Sequence, residues 1–285
     1  MNRVRILLTC VLILITTVVS AVGDDGVKPL RLGMLPSLSL QKLFERFKPL
    51  KTYLEQTLHR PVILLTATDY ATYMNRAGQY EYDLFFAAPH MAALAETDYG
   101  YRRVSMMTRD LRGYLVTRAN SQIKRIEDLK GHTISTPQEL AIITMMGEAL
   151  LEAHHLQPGR DVTIDYTSTH NNAILALTTG KTDAAIVSAP IFEIISRDLH
   201  TKLTILDTTK TASHLMFMAS PKLPQAEYKK LRDVMLKFRA DSAGKEFFRR
   251  SPYGDSGMIR DEDMRNMRPY VRLLKQRLSE HKVKH

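Results

Sequence analysis

The stretch DAAIVSAPIFEI at residues 183–194 has the pattern that decides the fold of this chain. An aspartate precedes a short apolar run, and a proline then opens a second apolar segment. The same order occurs at residues 83–94, which read DLFFAAPHMAAL. Short, continuously apolar runs are typical of strands in parallel sheets, and proline is favoured where a helix begins. We therefore predict two strand–helix units, each with an aspartate that binds loop amides at the strand entrance.

The repeated pattern extends beyond these two stretches. In both 66–94 and 167–195 a polar cap opens a short helix, a glycine closes it, and the strand led by aspartate follows. Alternating strands and helices predict an α/β protein whose mostly parallel sheets are flanked by helices. We expect two lobes of this kind. Lobe 1 would be discontinuous and comprise residues 28–113 and 210–285, and lobe 2 would comprise residues 114–209.

The first 21 residues have a different character. Two arginines precede the uncharged run ILLTCVLILITTVV, and small residues follow up to Ala21. This is the layout of a secretory signal peptide, so residues 1–21 predict export to the periplasm. An uncleaved membrane anchor is the alternative, although the run is shorter than the ~20 residues of a spanning helix. The single cysteine, Cys10, lies in this segment, so a cleaved chain has no thiol for disulfides, catalysis or metal binding.

Composition and motifs exclude several functional classes. The chain has 285 residues, of which 44% are apolar and 25% charged, as in ordinary globular proteins. Its net charge of +10 indicates either a solvated helical face or a surface that attracts anions. The lack of Trp and of interleaved basic and aromatic residues argues against nucleic acid as a partner. Since no HExxH, GxSxG, P-loop or GxGxxG motif occurs, we expect no metal site, no cofactor and no enzymatic activity.

Three segments together resemble the periplasmic substrate-binding proteins of ABC importers for phosphonate, phosphite and phosphate. They are DYATYMNRAGQYEYDLFFAAPHMAALAE at 69–96, IEDLKGHTISTP at 126–137 and TSTHNNAILALTTGKTDAAIV at 167–187. The resemblance implies a two-lobed, type II binding-protein fold with a small ligand held at the hinge cleft. Tyr70 matches a family tyrosine that faces the anion, and His170 matches a family histidine that binds ligand oxygens.

The chain departs from this family at three places. Where the family has Asn-Ser-Thr-Ser-Gly, the residues QELAII follow Pro137. The tyrosine of a Pro-x-x-Tyr segment is absent after Pro89, and the acidic partner of the second lobe is absent near Ser188. Residues 136–139 predict a helix that begins at Pro137 with a capping box, in which Glu139 would cover the helix amides and oppose a dianion. Two classes of ligand therefore remain as alternatives: a phosphonate-type oxyanion, and a ligand that is less charged, larger or more apolar.

The ligand site should combine groups from both lobes, because ligands gather at strand ends and stabilise closure only by contacting both lobes. The candidates are Ser37, Tyr70 and His90 in lobe 1 and Thr136, Gln138, His170 and Ser188 in lobe 2. His170 would titrate near neutral pH and carry charge when an anion arrives. The predicted function is ligand capture by a monomer for a membrane ABC permease. The alternatives are a receptor of the same fold that signals to a membrane kinase, and an enzyme on this scaffold.

Overall fold

The computed structural model describes residues 27–197, 202–250 and 253–283. The predicted signal peptide and Cys10 lie outside these ranges. The strands are β1 (Leu30–Met34), β2 (Val62–Leu65), β3 (Leu84–Ala87), β4 (Arg102–Met107), β5 (Gly113–Arg118), β6 (Thr133–Thr136), β7 (Thr163–Tyr166), β8 (Ala184–Ser188), β9 (Leu203–Thr208), β10 (Met216–Ala219) and β11 (Ser256–Gly257). The helices are α1 (Leu40–Leu58), α2 (Tyr70–Gly78), α3 (Pro89–Tyr99), α4 (Ile142–Ala153), α5 (His170–Thr178), α6 (Ala189–Ile195), α7 (Gln225–Phe238), α8 (Ser242–Arg250), α9 (Asp261–Arg265) and α10 (Arg268–Val283).

The strands form two separate sheets with the same internal plan. The six-stranded sheet has the order β11-β4-β10-β3-β1-β2, and the five-stranded sheet has the order β7-β6-β8-β5-β9. In each sheet three neighbouring strands are parallel, namely β2-β1-β3 and β7-β6-β8, and an antiparallel strand follows them. We call the part around the six-stranded sheet lobe 1 and the part around the five-stranded sheet lobe 2. The prediction of a two-lobed α/β fold with helix-flanked sheets is confirmed.

The two aspartates of the repeated pattern have the same role in both lobes. The amide of Arg31 in β1 donates to Asp83 Oδ2 at 2.9 Å, just before the neighbouring strand β3. The amide of Thr133 in β6 donates to Asp183 Oδ2 at 3.0 Å, just before β8. Each carboxylate thus accepts from an amide near the start of the adjacent parallel strand, and not from the loop amides that were predicted. Every residue of β3 and β8 is buried, which explains why both runs are continuously apolar.

Two chain segments connect the lobes and run side by side. Residues 108–112 lead from β4 to β5, and residues 209–215 lead back from β9 to β10. Leu111 and Ala212 form an antiparallel pair between them, with N–O distances of 2.9 and 2.8 Å in the two directions. A short two-stranded connection of this kind permits the lobes to rotate about it. None of the helices that the structure describes is both long and apolar enough to span a bilayer.

The start of α4 differs from the prediction. The helix begins at Ile142 and not at Pro137, and residues 138–141 form a turn closed by the Ala141 amide and the Gln138 carbonyl at 2.8 Å. The Thr144 hydroxyl lies 3.1 Å from the carbonyl oxygens of Pro137 and Gln138, and holds them outside the helical pattern. The predicted capping box is therefore wrong. The carboxylate of Glu139 instead lies 3.3 Å from His281 Nε2 on α10.

Candidate functional site

The loops after the parallel strands of lobe 1 meet the corresponding loops of lobe 2. Gln138 provides the central contact, because its side chain bonds to both lobes. Its Oε1 accepts from the amide of Tyr70, the first residue of α2, at 3.0 Å, and its Nε2 donates to the Ser168 carbonyl at 3.3 Å. Asp69 caps the same helix by accepting from the Thr72 amide at 2.8 Å. Helix amino ends attract anions, and here the protein's own oxygens bond to the Tyr70 and Thr72 amides.

His90 forms a second contact between the lobes. The residue is fully buried, and its Nε2 lies 3.0 Å from the Leu140 carbonyl of lobe 2. A carbonyl accepts only, so Nε2 carries the proton and Nδ1 is a bare acceptor. Burial lowers the pKa of His90 to about 4, so the ring is neutral at neutral pH. His90 Nδ1 has no hydrogen-bond partner among the described residues.

His170 and Ser188 are paired within lobe 2. The amide of Ser188, at the end of β8, donates to His170 Nδ1 at 3.3 Å. This bond assigns the proton of the neutral ring to Nε2, which leaves one N–H donor for another partner. Burial lowers the pKa of His170 to about 4, below the near-neutral value expected from the sequence. The side chain is suited to donate one hydrogen bond and not to supply a charge.

The two remaining candidates have different surroundings. Thr136 ends β6 and is buried, and its hydroxyl lies 2.9 Å from the hydroxyl of Thr144. Ser37 lies in the loop after β1, where it is partly buried and its amide donates to the Leu35 carbonyl at 2.8 Å. The structure therefore brings together Tyr70 with Gln138 and His170 with Ser188. The role of all seven candidates in ligand binding stays a prediction.

A cavity of about 440 Å³ lies beside these residues, between α1 of lobe 1 and α5 and α6 of lobe 2. Two of its lining residues, Leu38 and Asn171, directly follow the candidates Ser37 and His170 in the chain. The lining residues are Leu38, Lys42, Glu45, Arg46, Pro49 and Phe247 from lobe 1, and Asn171, Ile191, Ile194 and Ile195 from lobe 2. Because both lobes contribute, a molecule in this cavity would contact both.

The walls of the cavity have different chemistry. On the α1 wall, Lys42 is exposed and makes no ion pair with any described residue. Arg46 donates to the Tyr253 hydroxyl at 3.2 Å, and its guanidinium lies 5.1 Å from the centre of that ring. Glu45 offsets part of this positive charge. The opposite wall is apolar and consists largely of α6, through Ile191, Ile194 and Ile195.

Sequence reasoning missed Lys42 and Arg46. Their spacing of four residues places them on one face of α1, which is a signal available from sequence. This face has the composition of a solvated helix surface. Only the position of lobe 2 in the structure distinguishes it from an ordinary solvated face. Across the described ranges, no three or more His, Cys, Asp or Glu side chains are grouped so that they can hold a metal ion.

A family model covers most of the chain. The model of the phosphonate periplasmic substrate-binding proteins of ABC transporters matches residues 32–264. The chain belongs to this family. It is therefore a periplasmic solute-binding component of ABC transport, with a small-molecule ligand and a membrane permease as partners. The resemblance found in the sequence is confirmed.

Solved structures show the same fold at low sequence identity. PhnD1 from Prochlorococcus marinus, in complex with methylphosphonate, is 16% identical with a TM-score of 0.77, over 87% of this chain and 98% of that one. A binding component of an ABC phosphonate transporter from Pseudomonas aeruginosa is 16% identical with a TM-score of 0.77, over 88% of each chain. A Xanthomonas citri protein bound to ATP is 18% identical with a TM-score of 0.70, over 88% of this chain and 98% of that one.

Proposed function

We propose that this binding protein captures a small organic anion with an apolar part, such as an alkylphosphonate, in the cavity between the lobes. The observation that carries the proposal is the contrast between the two walls, one cationic and contributed by α1, the other apolar and contributed by α6. The volume of 440 Å³ lies within the range of about 300–1,000 Å³ that is usual for small-molecule sites. The closed form would then be recognised by the permease of an ABC importer.

The contacts at the strand ends favour this ligand over a compact dianion. Gln138 and Asp69 already satisfy the first amides of α2, and Asp69 adds a negative charge there. A dianion at this helix end would have to displace an amide oxygen and would lie near a carboxylate. An acidic group near Lys42 and Arg46 meets two cations and only one carboxylate, that of Glu45, and it lies within the same cleft.

Seven side chains at the strand ends would complete the site. We propose that they contact the ligand directly or exchange their present partners on binding, with His170 Nε2 as a neutral donor. They are Ser37, Tyr70, His90, Thr136, Gln138, His170 and Ser188. We also propose that residues 1–21 direct export, that residues 28–113 with 210–285 and residues 114–209 are the two lobes, and that the protein acts as a monomer without catalytic activity.

A ligand screen tests the proposal. Mass spectrometry of small molecules that copurify with the protein would identify the natural ligand. In a thermal-shift series, octylphosphonate should raise the melting temperature more than methylphosphonate or phosphate, and octanol should have little effect. The reason is that only octylphosphonate combines an anionic group with a long apolar chain. Equal shifts for octylphosphonate and octanol would rule out the role of charge.

A matched pair of variants tests the position of the site. Lys42→Met should weaken binding of octylphosphonate by about tenfold, which corresponds to ~1.4 kcal/mol for one lost charge pair. Lys48→Met removes an exposed lysine from the same helix outside the cavity, so it should leave the affinity unchanged. Isothermal titration calorimetry gives both values. If both variants bind equally well, the anionic group does not lie at the α1 wall.

A further inference from the structure

The C-terminal helix α10 connects the two lobes. It packs on α3 in lobe 1, where Lys275 forms an ion pair with Asp98 at 2.7 Å. Two residues later, Arg277 reaches lobe 2. Its guanidinium donates to the Glu139 carbonyl at 2.6 Å and pairs with the carboxylate of Glu148 in α4. One helix of lobe 1 is thus bonded to the turn and to the helix that follow β6 in lobe 2.

The pair between Arg277 and Glu148 is buried. The exposed fractions of the two side chains are 12% and 8%, far below those of ordinary surface ion pairs. The hydroxyl of Tyr166 also donates to Glu148, at 3.0 Å. When one partner of a buried pair is removed, the other remains as an uncompensated charge, which is strongly unfavourable. Any arrangement of the lobes that buries Glu148 at this place therefore depends on Arg277.

The residues next to Arg277 strengthen this connection. Glu139 lies 3.3 Å from His281 Nε2 and 3.8 Å from Arg277 Nε on α10. On either side of Glu139, Gln138 bonds to the Tyr70 amide and the Leu140 carbonyl bonds to His90. Three consecutive residues of lobe 2 are therefore bonded to three different helices of lobe 1. All of these bonds are made between protein atoms and need no bound molecule.

We propose that Arg277 is a positioning residue that holds the two lobes in their closed arrangement before ligand arrives. Removal of its charge leaves Glu148 buried without a cationic partner only when the lobes are closed, because separation of the lobes returns Glu148 to water. Loss of Arg277 should therefore shift the equilibrium to the open form. The proposal concerns the protein alone and does not depend on the identity of the ligand.

The distance between the lobes can be measured directly. Spin labels on Asn75→Cys in α2 and Leu175→Cys in α5 report on lobes 1 and 2, since both residues are exposed. The native Cys10 is changed to Ser so that only these two positions are labelled. Pulsed electron–electron double resonance on dialysed protein then gives the distribution of distances between the two labels without any added ligand. The parent should show one short distance.

The variants separate the role of Arg277 from a general effect on the fold. Arg277→Met should produce a population in which the distance between the spin labels is longer than in the parent by more than about 2 Å, the scale of domain rearrangements. Glu148→Gln, which removes the other charge, should have the same effect. Lys275→Met breaks an ion pair within lobe 1 on the same helix and should leave the distance unchanged. Circular dichroism and a melting curve for each variant identify any that fail to fold.

A double variant provides a rescue. Arg277→Met combined with Glu148→Leu removes both charges, and buried ion pairs can be replaced by apolar pairs with little loss. The short distance should return. A parent that is already open, or an Arg277→Met variant with the parent's distance distribution, would overturn the proposal. Neither result would bear on the ligand proposed for the cavity, so the two proposals fail independently.

Discussion

The carboxylate of Asp83 allows a quantitative test of the strand-entrance contact. Asp83 Oδ2 accepts from the Arg31 amide at 2.9 Å and from Arg31 Nε at 3.1 Å, while Oδ1 accepts from the guanidinium at 2.8 Å. The side chain of Asp83 is 13% exposed and that of Arg31 is 39% exposed. The backbone bond is therefore shielded from water, whereas the ion pair is close to an ordinary surface pair.

These contacts set the size of the expected effect. A hydrogen bond to a charged group contributes about 1.5–3 kcal/mol. A solvent-exposed ion pair adds about 0.2–1 kcal/mol, since water and side-chain entropy reduce its value. Asp83→Ala should thus lower the free energy of unfolding by about 3 kcal/mol. Asp83→Asn should cost less, because its amide oxygen can still accept from the Arg31 amide.

Equilibrium unfolding in urea, followed by circular dichroism, gives these free energies. A matched control is Lys181→Met, which removes the exposed ion pair with Asp165 and should change stability by less than about 1 kcal/mol. Should Asp83→Ala change stability by no more than the control, the carboxylate does not stabilise the strand entrance. The shared arrangement at Asp183 would then also lose its physical explanation.

Three further predictions concern buried groups. Burial lowers the pKa of His90 to about 4 and that of His214 to about 3, from an ordinary 6.5, so the unfolded chain takes up protons first. The contribution of these two groups to stability should therefore be constant above pH 6.5 and fall as the pH drops towards 4. His90→Gln should reduce this dependence in urea melts at pH 7 and 5, with His214 still contributing. Gly33→Ala would place a Cβ 2.6 Å from the Tyr82 ring and should cost about 1–3 kcal/mol by the same assay. His170→Ala should weaken octylphosphonate binding by more than about tenfold in calorimetry, and unchanged affinity would exclude the residue from the site.

Local patterns were sufficient to predict the repeated units. The apolar runs at β3 and β8, the aspartates before them and the prolines after them each have a meaning that depends only on near neighbours. Because a short continuous apolar run is stable only when both faces are covered, these patterns also predict helices on both sides of the sheets. The order of the units then implies two similar lobes.

Local patterns failed where distant residues decide the backbone. The start of α4 depends on the Thr144 hydroxyl and on Arg277, which binds the Glu139 carbonyl from a position near the end of the chain. The capping-box pattern at 136–139 is favourable by itself, but these contacts outweigh it. The strands β9 and β11 were also not predicted. Each is an edge strand of its sheet and pairs with only one neighbour. Such a strand does not need the continuous apolar run that marks a central strand.

The charge states of the histidines show the same limit. Sequence supplies only the ordinary pKa of His170, whereas burial against β8 makes the ring neutral. In the same way, Lys42 and Arg277 are ordinary cations on polar helix faces until the second lobe is placed. Their partners, an apolar wall in one case and a buried carboxylate in the other, come from parts of the chain far away in sequence.

The amino-acid sequence by itself determined the two-lobed α/β plan, the strand–helix units and the membership in a family of solute-binding proteins. These follow from hydrophobic periodicity and from caps and turns, which act over a few residues. Only the tertiary structure decided which side chains face each other across the cleft, which groups are charged, and how α10 joins the lobes. The physical reason is that ion pairing, desolvation and cavity shape depend on distances between residues that the chain brings together only on folding.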